Sequence, residues 1–212
     1  LKALAEVFAR HPQVYIISDE IYEHINFTPE GHTSIAEFPE VYEQTIVVNG
    51  LAKAYAMTGW RIGFIGAAQW IAKACEDLQG QVTSGTNSVA QQAAVAALNA
   101  DPEKMVKPMV EVFARRRELV LKGLAEIPGF KTDTPYGAFY AFPDISYYKG
   151  KTLGGHKINT SDDLCLYLLS EAHVGLVAGS SFGNDDCIRL SYAASEEVLT
   201  EALRRIKEAL LK

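Results

Sequence analysis

Three charged side chains stand where amine–carbonyl chemistry would need them. Lys53 lies in the stretch NGLAKAYAMTGWRIGF, between Ala52 and Ala54 and near Tyr55 and Trp60. An amine in an apolar cleft has its pKa pushed down and becomes a nucleophile toward carbonyls; a lone lysine outside such a cleft snorkels at the surface. Arg61 follows eight residues later at the head of an apolar run, where a planar guanidinium calls for a bidentate anion such as phosphate. Asp19 precedes Lys53 by 34 residues, within SDEIY. At the end of a buried strand its carboxylate requires a cationic or N–H partner; capping of the following turn is the plainer alternative.

The elements flanking these residues should bring them together. VYIIS (14–18) and TIVVN (45–49) are short, continuous and rich in β-branched residues, the pattern of strands buried on both faces of a parallel sheet. The turn-rich FTPEGHTS and a helical piece around Ile35 to Phe38 leave enough chain between them for a parallel crossover. RIGFIGA (61–67) starts too soon after Asn49 for a second crossover, so it should run antiparallel. Asp19, Gly50 to Lys53 and Arg61 then share one sheet edge, the carboxyl edge where open α/β sheets bind ligands.

Helical periodicity follows the opening LKALAEVFARH and governs IAKACEDLQGQV, SVAQQAAVAALNA and a long segment from Pro102 to Ile127. Pro128-Gly129 stops the last of these, and GFKTDT and GAFYAFPDI read as strands joined at Pro135-Tyr136-Gly137. YYKGKTLGGHKINT reads as an exposed loop. Thr160 or Ser161 should cap a helix running to about His173, GLVA and CIRLSYA read as strands, and Ser195 opens a final amphipathic helix. This last third suggests a smaller α+β domain.

The motifs resemble one family. GLAKAYAMTGWRIG is similar to the pyridoxal-phosphate attachment signature of class I aminotransferases, the aspartate aminotransferase family of fold type I. SDEIY resembles that family's pyridine-nitrogen motif, and PYGAFY, GSSFG and CIRLSYAAS resemble its C-terminal motifs in the expected order. The resemblance covers nearly the whole chain. It implies an α/β fold: residues 1–101 as the end of a large, mostly parallel pyridoxal-phosphate-binding domain, and 102–212 as a bridging helix with an α+β small domain.

The resemblance also assigns roles. Lys53 would hold pyridoxal 5'-phosphate covalently and, once displaced by an amino-acid substrate, carry the proton between the substrate α-carbon and the cofactor. Asp19 would keep the pyridine nitrogen protonated, Tyr22 would hydrogen-bond the ring's 3-oxygen, Arg61 would grip the phosphate, and Arg189 would clamp the substrate α-carboxylate. The implied activity is amino-group transfer between an amino acid and a 2-oxo acid by a homodimer. A lyase or decarboxylase of the same fold, or a non-catalytic dimerisation fragment, are the alternatives. Ala52 stands where many members carry serine, and Ala178 where proline is common. The family's phosphate loop, its ring-stacking aromatic and an asparagine bonding the 3-oxygen would all lie before Leu1. The chain therefore reads as entered in the middle, with half a site and weak or no activity alone. Thr86, Asn87 and Ser88 either reach toward a dimer partner's phosphate or cap the next helix.

Composition narrows the remaining classes. At about 150 residues per domain, 212 residues make one large or two modest domains. Twenty Lys and Arg against 26 Asp and Glu, a formal charge of −6, argue against nucleic-acid binding, and the Arg115 to Arg117 run reads as a solvated face. No apolar run suits a membrane span. Three scattered cysteines suggest neither a disulfide framework nor a thiolate metal site, which points to a reducing cytoplasm. The five histidines lack ligand spacing, so no metal is expected. Residues 78–91 contain no Arg or Lys to read a distal substrate carboxylate.

Overall fold

A computed structural model describes residues 1–211, which divide into two compact units, 1–108 and 109–211. The first unit opens with α1 (Lys2–Phe8) and carries a three-stranded sheet in the order β1 (Ile16–Asp19), β2 (Thr45–Gly50), β3 (Gly63–Gly66). β1 and β2 are parallel, with Ile16 opposite Thr45 and Asp19 opposite Val48. β3 returns antiparallel, with Gly50 opposite Gly63. The crossover from β1 to β2 contains two 3₁₀ segments, Ile35–Glu37 and Pro39–Gln44; the Ser34 hydroxyl caps the first through the Ala36 N–H, and Glu37 reciprocates on the Ser34 N–H.

One face of this sheet is covered and the other is not. Ala5, Ile16, Ile35 and Val41 form its buried cluster, with Phe8, Ala9 and Phe38 packed against it. Ile17, pointing the opposite way because side chains alternate along a strand, is 73% exposed. Burial of VYIIS on both faces is therefore corrected to burial on one, and all four residues of β3 are exposed. The uninterrupted apolar runs record what the strands are built to pack against; the covering layer on the second face is not supplied by these residues. Two further helices complete the unit, α2 (Gln69–Val82) and α3 (Ser88–Leu98). α3 is capped by the Asn87 carboxamide, which accepts from the Val89 and Ala90 N–H groups.

The long helical segment breaks at Val106 into α4 (Pro102–Met105) and α5 (Lys107–Ala125), and the division between the units falls in the first turn of α5. In the second unit, β4 (Tyr140–Ala141), β7 (Val177–Ala178) and β8 (Ile188–Ser191) form an antiparallel sheet with β8 in the middle. GFKTDT does not form a strand: only Lys131 bridges, to Asp144. The expected loop YYKGKTLGGHKINT holds a hairpin of β5 (Thr152–Leu153) and β6 (His156–Lys157), turned by Gly154 and Gly155, both at positive φ where glycine is favoured. α6 (Ser161–Ala172) starts in a capping box between Thr160 and Asp163 and stops at His173 in the left-handed region. α7 (Glu196–Leu210) is capped by Ser195. The core gathers Val120, Leu124, Ile145, Leu164, Leu168, Ile188 and Ile206, and Tyr167 ties α6 to α7 by donating to the Ala209 carbonyl at 2.8 Å.

Gly179, where the GSSFG motif begins, has no room for a side chain. A Cβ there would overlap the carbonyl oxygens of Asn184 and Cys187 and lie 2.8 Å from the Cys187 carbonyl carbon. Backbone cannot step aside as a side-chain tip can. Gly179→Ala is expected to cost about 3 kcal/mol, the upper part of the overpacking range; denaturant unfolding of variant and wild type measures it, and unchanged stability would contradict this packing.

Candidate active site

The first unit places Asp19, Lys53 and Arg61 on one sheet edge. Asp19 is the last residue of β1, Lys53 stands three residues beyond the end of β2, and Arg61 stands two residues before β3. Because β3 runs antiparallel to β2, its entrance lies beside the exit of β2. Gly50 makes that junction tight. A Cβ on it would come within 3.0 Å of the Ile62 carbonyl oxygen and 3.3 Å of Ile21 Cδ1, so the segment after β1, the end of β2 and the approach to β3 converge around a residue without a side chain.

The Lys53 turn is built by its neighbours. Leu51 and Ala54 are buried, and the Leu51 carbonyl accepts from both Tyr55 and Met57 N–H at 3.3 Å. The Thr58 hydroxyl donates to the Ala52 carbonyl at 2.9 Å. Lys53 itself is half-buried. Its Nζ lies 5.7 Å from the ring centroid of Tyr22, within the range at which a cation is attracted to an aromatic face. His24 meets Tyr55 edge-on with centroids 6.3 Å apart, so the turn after β1 and the turn after β2 touch at two points.

Backbone strain marks the same stretch. Ala56 and Arg61 hold φ of 53° and 54°, left-handed values that cost a non-glycine residue about 1–3 kcal/mol. Arg61 is exposed, with Nη1 donating to the Thr58 carbonyl at 3.1 Å. It lines a cleft of about 730 Å³ together with Trp60, Gln79, Thr83, Thr86 and Asn87. The guanidinium thus faces open space. Arg61 does not head a buried strand, because all four residues of β3 are exposed.

Asp19 takes the plainer of its two expected arrangements. It is exposed, and its Oδ1 accepts from the Ile21 N–H at 3.2 Å, the turn-capping arrangement. A solvated carboxylate needs no internal cation, so its burial is corrected here, while the N–H partner is present. The buried acid of SDEIY is Glu20, which the sequence reading passed over. It accepts from Ser18 at 2.9 Å and Ser34 at 2.7 Å and pairs with His32 Nε2 at 2.9 Å. Burial pushes the Glu20 carboxyl upward, but the bonds from Ser34, His32 and Ser18 outweigh it and hold the group below its ordinary value. Glu23 lies close enough to complete a possible three-ligand set with Glu20 and His32. The bonds already saturating Glu20 make it an anchor for the crossover loop.

Arg189 belongs to the second unit, on β8. Its guanidinium carbon lies 4.4 Å from the Tyr140 ring centroid and 4.3 Å from that of Phe182, within the range of a cation–ring attraction to both. Among the described residues it makes no hydrogen bond or ion pair. Phe139 packs on Phe113 and Tyr140 with centroids 5.1 and 4.8 Å away. Nor is the Arg115 to Arg117 run wholly solvated. The Arg117 side chain is 16% exposed and donates to the Pro135 carbonyl at 3.1 Å, holding the turn that leads into β4. Only its place on the inner side of α5 distinguishes it from Arg115.

A buttress fixes the segment carrying Phe182. Asp185 accepts from Lys149 at 2.8 Å and from the Ser161 N–H and hydroxyl at 2.9 and 2.7 Å. Lys149 foremost, then Ser161, hold the Asp185 carboxyl down at about 2. Ser180 completes the link to α6 by donating its hydroxyl to Asp162 at 2.7 Å and its N–H to Ser161 Oγ at 3.3 Å.

Comparison with known proteins covers both units. The family described as aminotransferase class I and II matches residues 1–206. A bifunctional aspartate aminotransferase and glutamate/aspartate-prephenate aminotransferase of Petunia hybrida is 49% identical over 100% of this chain and 45% of its own length. An aspartate aminotransferase of Rhizobium meliloti is 45% identical over 98% of this chain and 51% of its own. A crystal structure of the aspartate aminotransferase from Rhizobium meliloti superposes with a TM-score of 0.94 at 44% identity, over 99% of this chain and 52% of that one. The chain spans about half the length of the curated relatives it matches.

Proposed function

The chain belongs to the class I and II aminotransferases, and on that premise we propose that it serves a pyridoxal 5'-phosphate-dependent transaminase moving an amino group between an amino acid and a 2-oxo acid. The observation that carries this reading is the half-buried Lys53 amine over the Tyr22 ring, on the edge that also bears Asp19 and Arg61. The donor set fits the cofactor: a carboxylate for a protonated ring nitrogen, an amine for an aldehyde, a phenol for a ring oxygen and a guanidinium for a phosphate. When bound, the cofactor supplies the electron sink that lets a substrate α-carbon give up its proton.

The chain's own groups hold and move the charges around that sink. The Lys53 Nζ would take the covalent attachment and, when freed, would accept the α-proton and return it, so one atom would serve as nucleophile and base. The exposed Asp19 carboxylate would accept from the ring N–H and keep it protonated. The Tyr22 hydroxyl would donate to the ring oxygen. Arg61, lining the open cleft, would hold the phosphate by its fixed fork of N–H donors, and Arg189 would hold the substrate α-carboxylate in the same bidentate manner. A homodimer in the cytoplasm is the assembly and compartment proposed. No described helix is long and apolar enough to cross a membrane.

Amine transfer tests the reading directly. The holoenzyme carrying this chain is given a ¹⁵N-labelled amino acid and a panel of 2-oxo acids, dicarboxylic and aromatic. Label should appear in the amino acid corresponding to the added 2-oxo acid. Release of ammonia or carbon dioxide with no labelled amino acid would assign a lyase or decarboxylase instead.

A further inference from the structure

The Arg189 guanidinium is held by rings rather than by an acid. The exposed arginines of α7 are engaged by carboxylates, as Arg204 is by Glu201 and Glu208. Arg189 has no such partner among the described residues and is held instead by rings, Tyr140 at 4.4 Å and Phe182 at 4.3 Å. A guanidinium donates hydrogen bonds only in its plane. Two ring contacts at this distance restrict its rotation while accepting none of its N–H groups.

Both rings are themselves fixed. Tyr140 lies in β4, pairs with Ser191 on β8 and packs against Phe139, which rests on the buried Phe113. Phe182 closes the 3₁₀ turn Gly179–Phe182, anchored by Asp185, Ser161 and Asp162, and meets Phe142 edge-on at 6.1 Å. Phe182 is nevertheless 47% exposed. A large ring left half in water, on a turn secured by five side-chain hydrogen bonds and a glycine that tolerates no Cβ, is poorly explained by core packing alone.

We propose that Tyr140 and Phe182 are positioning residues that orient the Arg189 guanidinium and make the site selective for planar carboxylates over tetrahedral anions. The inference rests on the reading of Arg189 as the substrate-carboxylate clamp and adds the device that sets its specificity. Two parallel N–H donors match the two oxygens of a carboxylate in one plane. A phosphonate or sulfonate of the same carbon skeleton presents its third oxygen out of that plane. Free to rotate, the guanidinium would follow either anion; held in one orientation by its ring contacts, it serves the flat one.

The test uses the holoenzyme with a 2-oxo acid substrate and two competitive inhibitors sharing one skeleton, a carboxylate and its phosphonate analogue. Tyr140→Leu and Phe182→Leu should each raise KM by about fivefold, the scale of one cation–ring contact, with the loss falling on KM rather than kcat. Each should also narrow the preference for the carboxylate inhibitor, while Tyr140→Phe and Phe182→Tyr keep both values near wild type. Phe182 is half exposed, so its leucine variant remains informative even if Tyr140→Leu folds poorly. An Arg189→Lys arm separates the two layers of the argument. If it binds both inhibitors as wild type does, the assignment of Arg189 is wrong and the ring clamp falls with it. If it loses carboxylate binding while the leucine variants keep wild-type KM and selectivity, only the clamp is overturned.

Discussion

Lys53→Ala is expected to reduce turnover of the holoenzyme by about 10⁴-fold or more, because one atom is asked to do two things. General acid–base catalysis by a placed group contributes about 10²–10⁴-fold by itself, and loss of the attachment point removes nucleophilic assistance as well. Lys53→Arg should be nearly as damaging, since a guanidinium stays protonated and cannot act as base. The half-buried position of Lys53 on a compact turn closed by Leu51 and Ala54 means that neither variant disturbs the core. Single-turnover rates with a good amino-acid donor make the comparison, and a loss below tenfold would remove Lys53 from the chemistry.

Asp19→Asn is the second large effect expected. The carboxamide keeps the shape and can still accept from the Ile21 N–H that Asp19 now caps, so the turn after β1 should persist. What disappears is the negative charge proposed to face a protonated ring nitrogen. Removing one preorganised electrostatic partner costs about 10²–10³-fold in kcat. Unfolding measurements should show wild-type stability beside that loss. A variant that is inactive only because it is unstable, or one that turns over normally, would each refute the electrostatic role.

The sequence carried the order of the site better than its burial. Asp19, Lys53 and Arg61 could be assigned to one edge because the connection before β2 is long and that before β3 is short, and loop length decides parallel against antiparallel pairing. The observed register agrees. Burial was misjudged because an apolar, β-branched run records what a strand is built to meet, whereas exposure depends on what the rest of the molecule supplies; Ile17 is the plain case. Glu20 went unremarked and Arg117 was read as solvated for a related reason. Each sits beside a residue of the same charge, Asp19 or Arg116, and which neighbour turns inward is settled by the phase of the strand or helix and by distant acceptors such as Ser34 and the Pro135 carbonyl. The rings around Arg189 could not be linked to it from the sequence, because nothing local joins Tyr140, Phe182 and Arg189 before β4 and β8 pair.

The central claim concerns a single amine. Reduction with borohydride in the presence of pyridoxal 5'-phosphate, followed by peptide mapping, reports which lysine forms the covalent link. The account predicts a stoichiometric adduct on the peptide containing Lys53 and little elsewhere. Label spread over surface lysines such as Lys2, Lys104 and Lys122, with none on Lys53, would contradict it.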